Sequence, residues 1–231
     1  VTRPASIRNW RGPTNRGRGM ATSPQGPSDV SLRDFIEAVG SADAPHGAVS
    51  TAAVAGGLGA TLVQMVASLP QTKSDSSTDR ARLIEAAAAI TGLRQQLIET
   101  IETETAVKLF TARNMPQASA AQRSERQAAI QLALRASADV PLEVMRLCAE
   151  GLALAATVAA HCARAASADA QLGVALLQAS FDGARSNLEG KLSSFIDAAY
   201  IKSIVDEMGR LTGETTVSTR AAESLLKPPP A

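Results

Sequence analysis

Residues 47–69 read GAVSTAAVAGGLGATLVQMVASL. The stretch holds no charge and no aromatic ring, and Pro70 follows it directly. An apolar run of this length reads as a helix, and the proline ends it. It is long enough to span a bilayer, which takes about 20 apolar residues. Ser50, Thr51, Thr61, Gln64, Ser68 and the glycines argue against insertion, and leucine, the better insertion residue, is sparse. The expectation is therefore no membrane span but a helix packed inside a soluble fold. Gly56 and Gly59 lie three apart, on one side of that helix. Glycine costs a helix about 1 kcal/mol relative to alanine. Several glycines in one helix are better explained by the close approach of a neighbouring helix than by propensity.

Outside this stretch the chain follows the same rule. It has 231 residues, a net charge of +1, 45% hydrophobic residues and only 3% aromatic ones. Its core must be built from Ala, Leu, Val and Ile, which suits tightly spaced helices better than a sheet. The near-neutral charge gives no reason to expect a nucleic acid partner. Cys148 and Cys162 make no disulfide framework, and they stand too far apart on one predicted helix to bridge. The two histidines, His46 and His161, and these cysteines lack metal-site spacing, so no metal is expected. Each reads as a packing or surface residue. No Walker loop, dinucleotide fingerprint or nucleophile elbow is present.

The expected organisation is an Arg-rich tail over 1–29, one helical domain over 30–226 and a Pro-rich tail over 227–231. The first segment has arginines, no acid before Asp29, and scattered Pro and Gly. It reads either as a targeting segment or as sequence upstream of a translation start at Met20. From Ser31 the pattern is helical. SLRDFIEAVG has a Ser cap, apolar Leu32, Phe35, Ile36 and Val39, and Gly40 as a stop. SSTD caps a long helix from about Asp79 to Asn114, with a stripe of Leu83, Ile90, Leu93, Leu97 and Ile101. A shorter helix follows over Ala118–Ser137, and Pro141 reads as the first turn of the next. Two further segments complete an all-α antiparallel bundle of six or seven helices.

The start of the Gly47 helix carries the first hint of chemistry. Its free backbone N–H groups and its dipole can hold an anionic or carbonyl-bearing ligand. The same residues also make an ordinary loop with a Ser cap.

The ordered set FIEAVGSADAP, HGAVS, TAAVAGGLGATLVQMV, ASADVPLEVMRLCAEGLALA and LGVALLQASFDGARSNLEGKL resembles the formiminotetrahydrofolate cyclodeaminase and methenyltetrahydrofolate cyclohydrolase family. The order and spacing hold over about residues 30–210. The resemblance implies an all-α fold, a homodimer dimerising through helix faces, a cytoplasmic location and a one-carbon tetrahydrofolate derivative as substrate, with no other cofactor. It assigns Gly47, Ser50, Gln171, Asn187 and Lys191 to substrate binding. Glu102, Glu104 and Asp169 become the candidate acids for proton transfer. Where the family keeps Gly, Gly, Asp and Asn, this chain has Ala48, Val49, Gln171 and Lys191, and Val49 is expected to narrow the approach to the backbone. Two functions follow: an enzyme of one-carbon folate metabolism, or a diverged relative that binds a pterin, a folate or a partner protein without catalysis.

Overall fold

The computed structural model describes residues 31–41, 47–101 and 111–227. The Arg-rich tail, His46, Glu102, Glu104 and the terminal prolines lie outside them. Among the described residues the elements are helical: α1 (Leu32–Val39), α2 (Ala48–Ser68), α3 (Ser77–Ile101), α4 (Ala120–His161), α5 (Ser167–Glu189) and α6 (Ala198–Leu226). Short 3-10 turns cover Arg164–Ala166 and Leu192–Ser194. The one extended pairing is an isolated bridge between Thr72 and Cys162.

The caps follow from local chemistry. Ser31 accepts from the Asp34 amide at 3.2 Å, and Ser119 and Gln122 form a reciprocal capping box at the start of α4. The Asp197 carboxylate accepts from the amides of Ala199 and Tyr200 at the start of α6. Leu83, Ile90, Leu93 and Leu97 are buried as one stripe of α3. They meet Met145 and Leu152 of α4 and Leu177, Phe181 and Leu188 of α5 in one continuous core. Among the described residues Phe181 is the only fully buried ring there, so small aliphatic side chains do most of the packing.

α2 lies between α3 and α5, and α4 backs all three. α2 is the described helix long and apolar enough to cross a membrane, and here it packs among the others. Its glycines mark the contact with α5. A Cβ on Gly59 would stand 2.8 Å from the Gly173 carbonyl oxygen and 2.9 Å from the Leu177 nitrogen. A Cβ on Gly173 would stand 2.7 Å from Val63. The two backbones touch because neither residue has a side chain, as the spacing of Gly56 and Gly59 led us to expect. Beside them the Ser180 hydroxyl donates to the Ala52 carbonyl at 2.6 Å and accepts from the Cys148 thiol at 3.1 Å. Burial pushes the Cys148 thiol up to about 12, so it stays protonated.

The structure corrects the reading at Pro141. No helix begins there: α4 runs unbroken for 42 residues with Pro141 inside it. A proline in a helix interior has no N–H for the carbonyl four residues earlier, here that of Ser137. The Lys191 ammonium fills the vacancy, donating to the Ser137 carbonyl at 2.7 Å. The defect is repaired from the turn that follows α5, which local sequence could not reveal.

α1 buries Phe35 but leaves Leu32 and Ile36 open to solvent. Its apolar face is not covered by the described residues.

Candidate functional site

The register of α2 on α5 decides which predicted residues meet. Gly59 faces Gly173 and Leu177, Gly56 faces Ser180, and Ala52 faces Gly183. The helices are antiparallel, so one more turn sets Asn187 opposite Ala48 and Val49. Gly47 and Asn187 therefore lie at the same end of the pair, and Ser50, in the first turn of α2, stands on the side of that helix that faces α3 rather than α5. Gly47 is the N-cap of α2 in an extended conformation, φ −96° and ψ −160°, with no side chain capping the helix. The first intrahelical bond runs from the Thr51 amide to the Gly47 carbonyl at 3.2 Å, so the preceding amides have no helical partner. The first turn holds no acid to compensate the positive end of the dipole. Ser50 is half-buried and its hydroxyl makes no hydrogen bond with the described residues. The Asn187 side-chain oxygen is buried without a hydrogen-bond partner. A buried acceptor left unmatched is costly, which makes this one a natural place for a ligand donor.

Val49 is half-buried and packs against the hydrophobic core.

Lys191 lies one turn beyond Asn187, with its amine on the Ser137 carbonyl. Burial holds its pKa below the usual lysine value. Asp169 and Gln171 are elsewhere. Asp169 is exposed in the first turn of α5, and Gln171 donates to the Leu226 carbonyl at 3.0 Å. Eighteen residues of helix separate Asp169 from Asn187, about 27 Å. One chain cannot bring both to one small ligand.

At the far end of the molecule is a network that the sequence did not signal. His161 Nδ1 lies 2.7 Å from Asp79, whose other oxygen accepts the Ser74 hydroxyl at 2.5 Å. The Ser74 hydroxyl and then His161 hold the Asp79 carboxyl below its ordinary value. The Lys73 amide donates to the His161 carbonyl at 2.8 Å, so the network ties the α2–α3 loop to the end of α4. A shallow groove of about 700 Å³ between α4 and α6, lined by Arg146, Glu150, Arg210 and Val217, contains none of the predicted site residues. Among the described residues no group of His, Cys, Asp and Glu could hold a metal ion.

Sequence reasoning also passed over Arg94. It falls on the row Ala87, Thr91, Arg94 and Ile98 of α3, and Thr91 accepts a hydrogen bond from Gln64 of α2 at 2.8 Å. Arg94 therefore borders α2, and its Nε is buried without a partner. The signal was available: Arg94 is the only charge in that row.

Residues 31–210 match the family model described as formiminotransferase-cyclodeaminase. A methenyltetrahydrofolate cyclohydrolase from Methylorubrum extorquens is 28% identical over 185 residues, covering 79% of this chain and 89% of that protein. The crystal structure of a formiminotetrahydrofolate cyclodeaminase from Thermotoga maritima superposes with a TM-score of 0.76 at 19% identity, covering 86% of this chain and 96% of that one.

Proposed function

This chain belongs to the formiminotransferase-cyclodeaminase family, and from that membership we propose that it acts on a one-carbon adduct of tetrahydrofolate. What supports the reading is the uncapped N-terminus of α2, with the Ser50 hydroxyl in its first turn and the unmatched Asn187 oxygen at the same end of the α2–α5 pair. Together they offer donors to a carbonyl or anionic group and one acceptor to a ring N–H. No cofactor other than the folate itself enters the reading, and the expected location is the cytoplasm.

Of the two family reactions we favour hydrolysis of 5,10-methenyltetrahydrofolate, because the cyclohydrolase relative supports it in sequence. Water adds to the cationic methenyl carbon and loses a proton to a base. The carbon–N5 bond then breaks, and N5 leaves with a proton, giving the 10-formyl product. Cyclisation of formiminotetrahydrofolate with loss of ammonia is the second reading, and it needs the same kind of proton donor. Antiparallel packing carries the C-terminal end of α3 toward the N-terminal end of α2. Glu102 and Glu104, just beyond Ile101, are the acids we assign to proton transfer from the same chain.

Asp169 and Gln171 reach the site only from a second copy, so the reading includes a homodimer. The outer face of α2 supports it: Leu58 and Met65 are 54% and 41% exposed. The Thr51, Thr61 and Ser68 hydroxyls on that helix turn back onto its own carbonyls, which leaves the face apolar. Leu32 and Ile36 of α1 and Leu172 of α5 are also uncovered. A non-catalytic binding protein is the alternative if the acids prove inert.

The test is to assay both reactions with the purified chain, then with Asn187→Ala, Glu102→Gln, Glu104→Gln and Asp169→Asn. Removing a positioned acid/base lowers the rate by about 10²- to 10⁴-fold. Folate binding without turnover would leave the binding-protein reading. No binding of any folate would end the enzyme reading and leave a relative that binds a partner protein.

A further inference from the structure

Burying a guanidinium without a partner is costly, so half-buried arginines are normally matched. Among the described residues the half-buried arginines are Arg80, Arg94, Arg126 and Arg185. Arg80 donates to the carbonyls of Ala67 and Leu69, Arg126 to that of Arg113, and Arg185 lies between Asp182 and Glu189. Arg94 makes no hydrogen bond or ion pair with the described residues, and its Nε is buried and unmatched.

Its position is as telling as its lack of a partner. Gln64 of α2 bonds Thr91 of α3, so one turn on Arg94 comes opposite Thr61 and Gly57. The α2 side of this seam is the row Ser50, Val54, Gly57, Thr61 and Gln64. A Cβ on Gly57 would meet nothing within 4 Å, so the seam is notched there. Gly57 is thus unlike Gly56 and Gly59, which close helix contact explains. The seam begins at Ser50, in the site proposed above, and Gly57 lies about 10 Å along it.

We propose that the α2–α3 seam is the channel for the extended tail of the ligand, with Arg94 pairing the tail's carboxylate across the Gly57 notch. The inference rests on the folate reading and adds a specificity-determining residue to it. A pteridine held at the Ser50 end projects its benzoyl-glutamate arm over a distance of this order. Planar, bidentate pairing with a carboxylate is what a guanidinium does best. Lys191, the other cation near the site, already donates to the Ser137 carbonyl.

The experiment is calorimetry with 5-formyltetrahydrofolate and with the same molecule carrying its glutamate as the neutral diamide. The wild-type chain should prefer the acid by about 10- to 100-fold, the usual worth of a hydrogen bond to a charged group. Arg94→Gln should abolish the preference, leave diamide binding within about twofold and keep the wild-type melting temperature, since no protein partner is stranded. Arg94→Lys should restore part of the preference. Gly57→Leu, which fills the notch and keeps the charge, should weaken both forms alike. The proposal is overturned if Arg94→Gln weakens both ligands equally or neither, if Lys191→Met abolishes the preference instead, or if Gly57→Leu binds both as the wild type does. Failure of the wild type to bind either ligand would instead remove the folate reading on which it rests.

Discussion

Gly57 and Gly59 of α2 should respond to the same substitution with opposite signs. A Cβ on Gly59 would stand 2.8 Å from the Gly173 carbonyl oxygen and 2.9 Å from the Leu177 nitrogen. Both neighbours are backbone, so no rotamer change relieves the clash, and α2 and α5 must separate. An opening of about 0.5 Å forfeits about a quarter of the dispersion attraction along the contact. Overpacking of this kind costs about 1–3 kcal/mol, offset by the roughly 1 kcal/mol that alanine gains over glycine in a helix. Two backbone contacts place Gly59→Ala at the upper end, a net loss of about 1–2 kcal/mol. At Gly57, where nothing lies within 4 Å, the same change leaves only the propensity gain, about 0.5–1 kcal/mol. For a chain of this size that is a fall in Tm of about 2–8 °C for Gly59→Ala and a rise of about 1–4 °C for Gly57→Ala. Urea titration followed by circular dichroism reads both midpoints, with unchanged m-values showing that the folded and unfolded states keep their extent. A Gly59→Ala chain as stable as the wild type would refute the close approach, and a fall at Gly57 would refute the open notch.

Lys191→Met strands the Ser137 carbonyl and should lower stability by about 1–3 kcal/mol. In a Pro141→Ala background the residue 141 amide can serve that carbonyl, so a double-mutant cycle should show a much smaller loss; equal losses in both backgrounds would contradict the repair. Asp79 has a folded pKa below its unfolded value, so its contribution is complete above the unfolded pKa and is lost as pH falls through the folded one. Asp79→Asn should therefore be less stable than the wild type at neutral pH, and the gap should close as pH drops below about 4; a gap that holds constant to pH 2 would show that charge is not involved. Light scattering should give twice the 23.8 kDa chain mass, and Leu58→Glu on the uncovered face should return a monomer; a monomeric wild type at micromolar concentration would remove the second copy from the site.

The helices were legible because their signals are local. Ser31 and the α3 stripe work within a turn or two, and the glycines of α2 announced a close neighbour without saying which. The single long α4 was not legible. Pro141 is an honest stop signal that a lysine fifty residues later overrides, and no window on the sequence joins the two. The site divides the same way. Gly47 and Asn187 come to the same end because α2 and α5 run antiparallel in the register that Gly59 and Gly173 set. Asp169 and Gln171 share α5 with Asn187, yet helix length holds them at the other end. Arg94 could have been found from its row, but its lack of a partner is a fact about side chains packed in three dimensions.

The pairing of α2 with α5 also governs how the chain emerges during synthesis. The hydrogen bond from Ser180 to the Ala52 carbonyl spans 128 positions. At roughly 5–20 residues per second, about 6–26 s elapse between the appearance of the two partners. Until α4 is complete an uncharged, glycine-rich helix has only α3 to shelter one of its sides, and its α5 face stays bare to the end of the interval. Nascent chains are therefore most prone to stick to one another, or to be held by a chaperone, while α4 is being made. Slowing translation within α4 should lower soluble yield more than slowing it after α5 is complete.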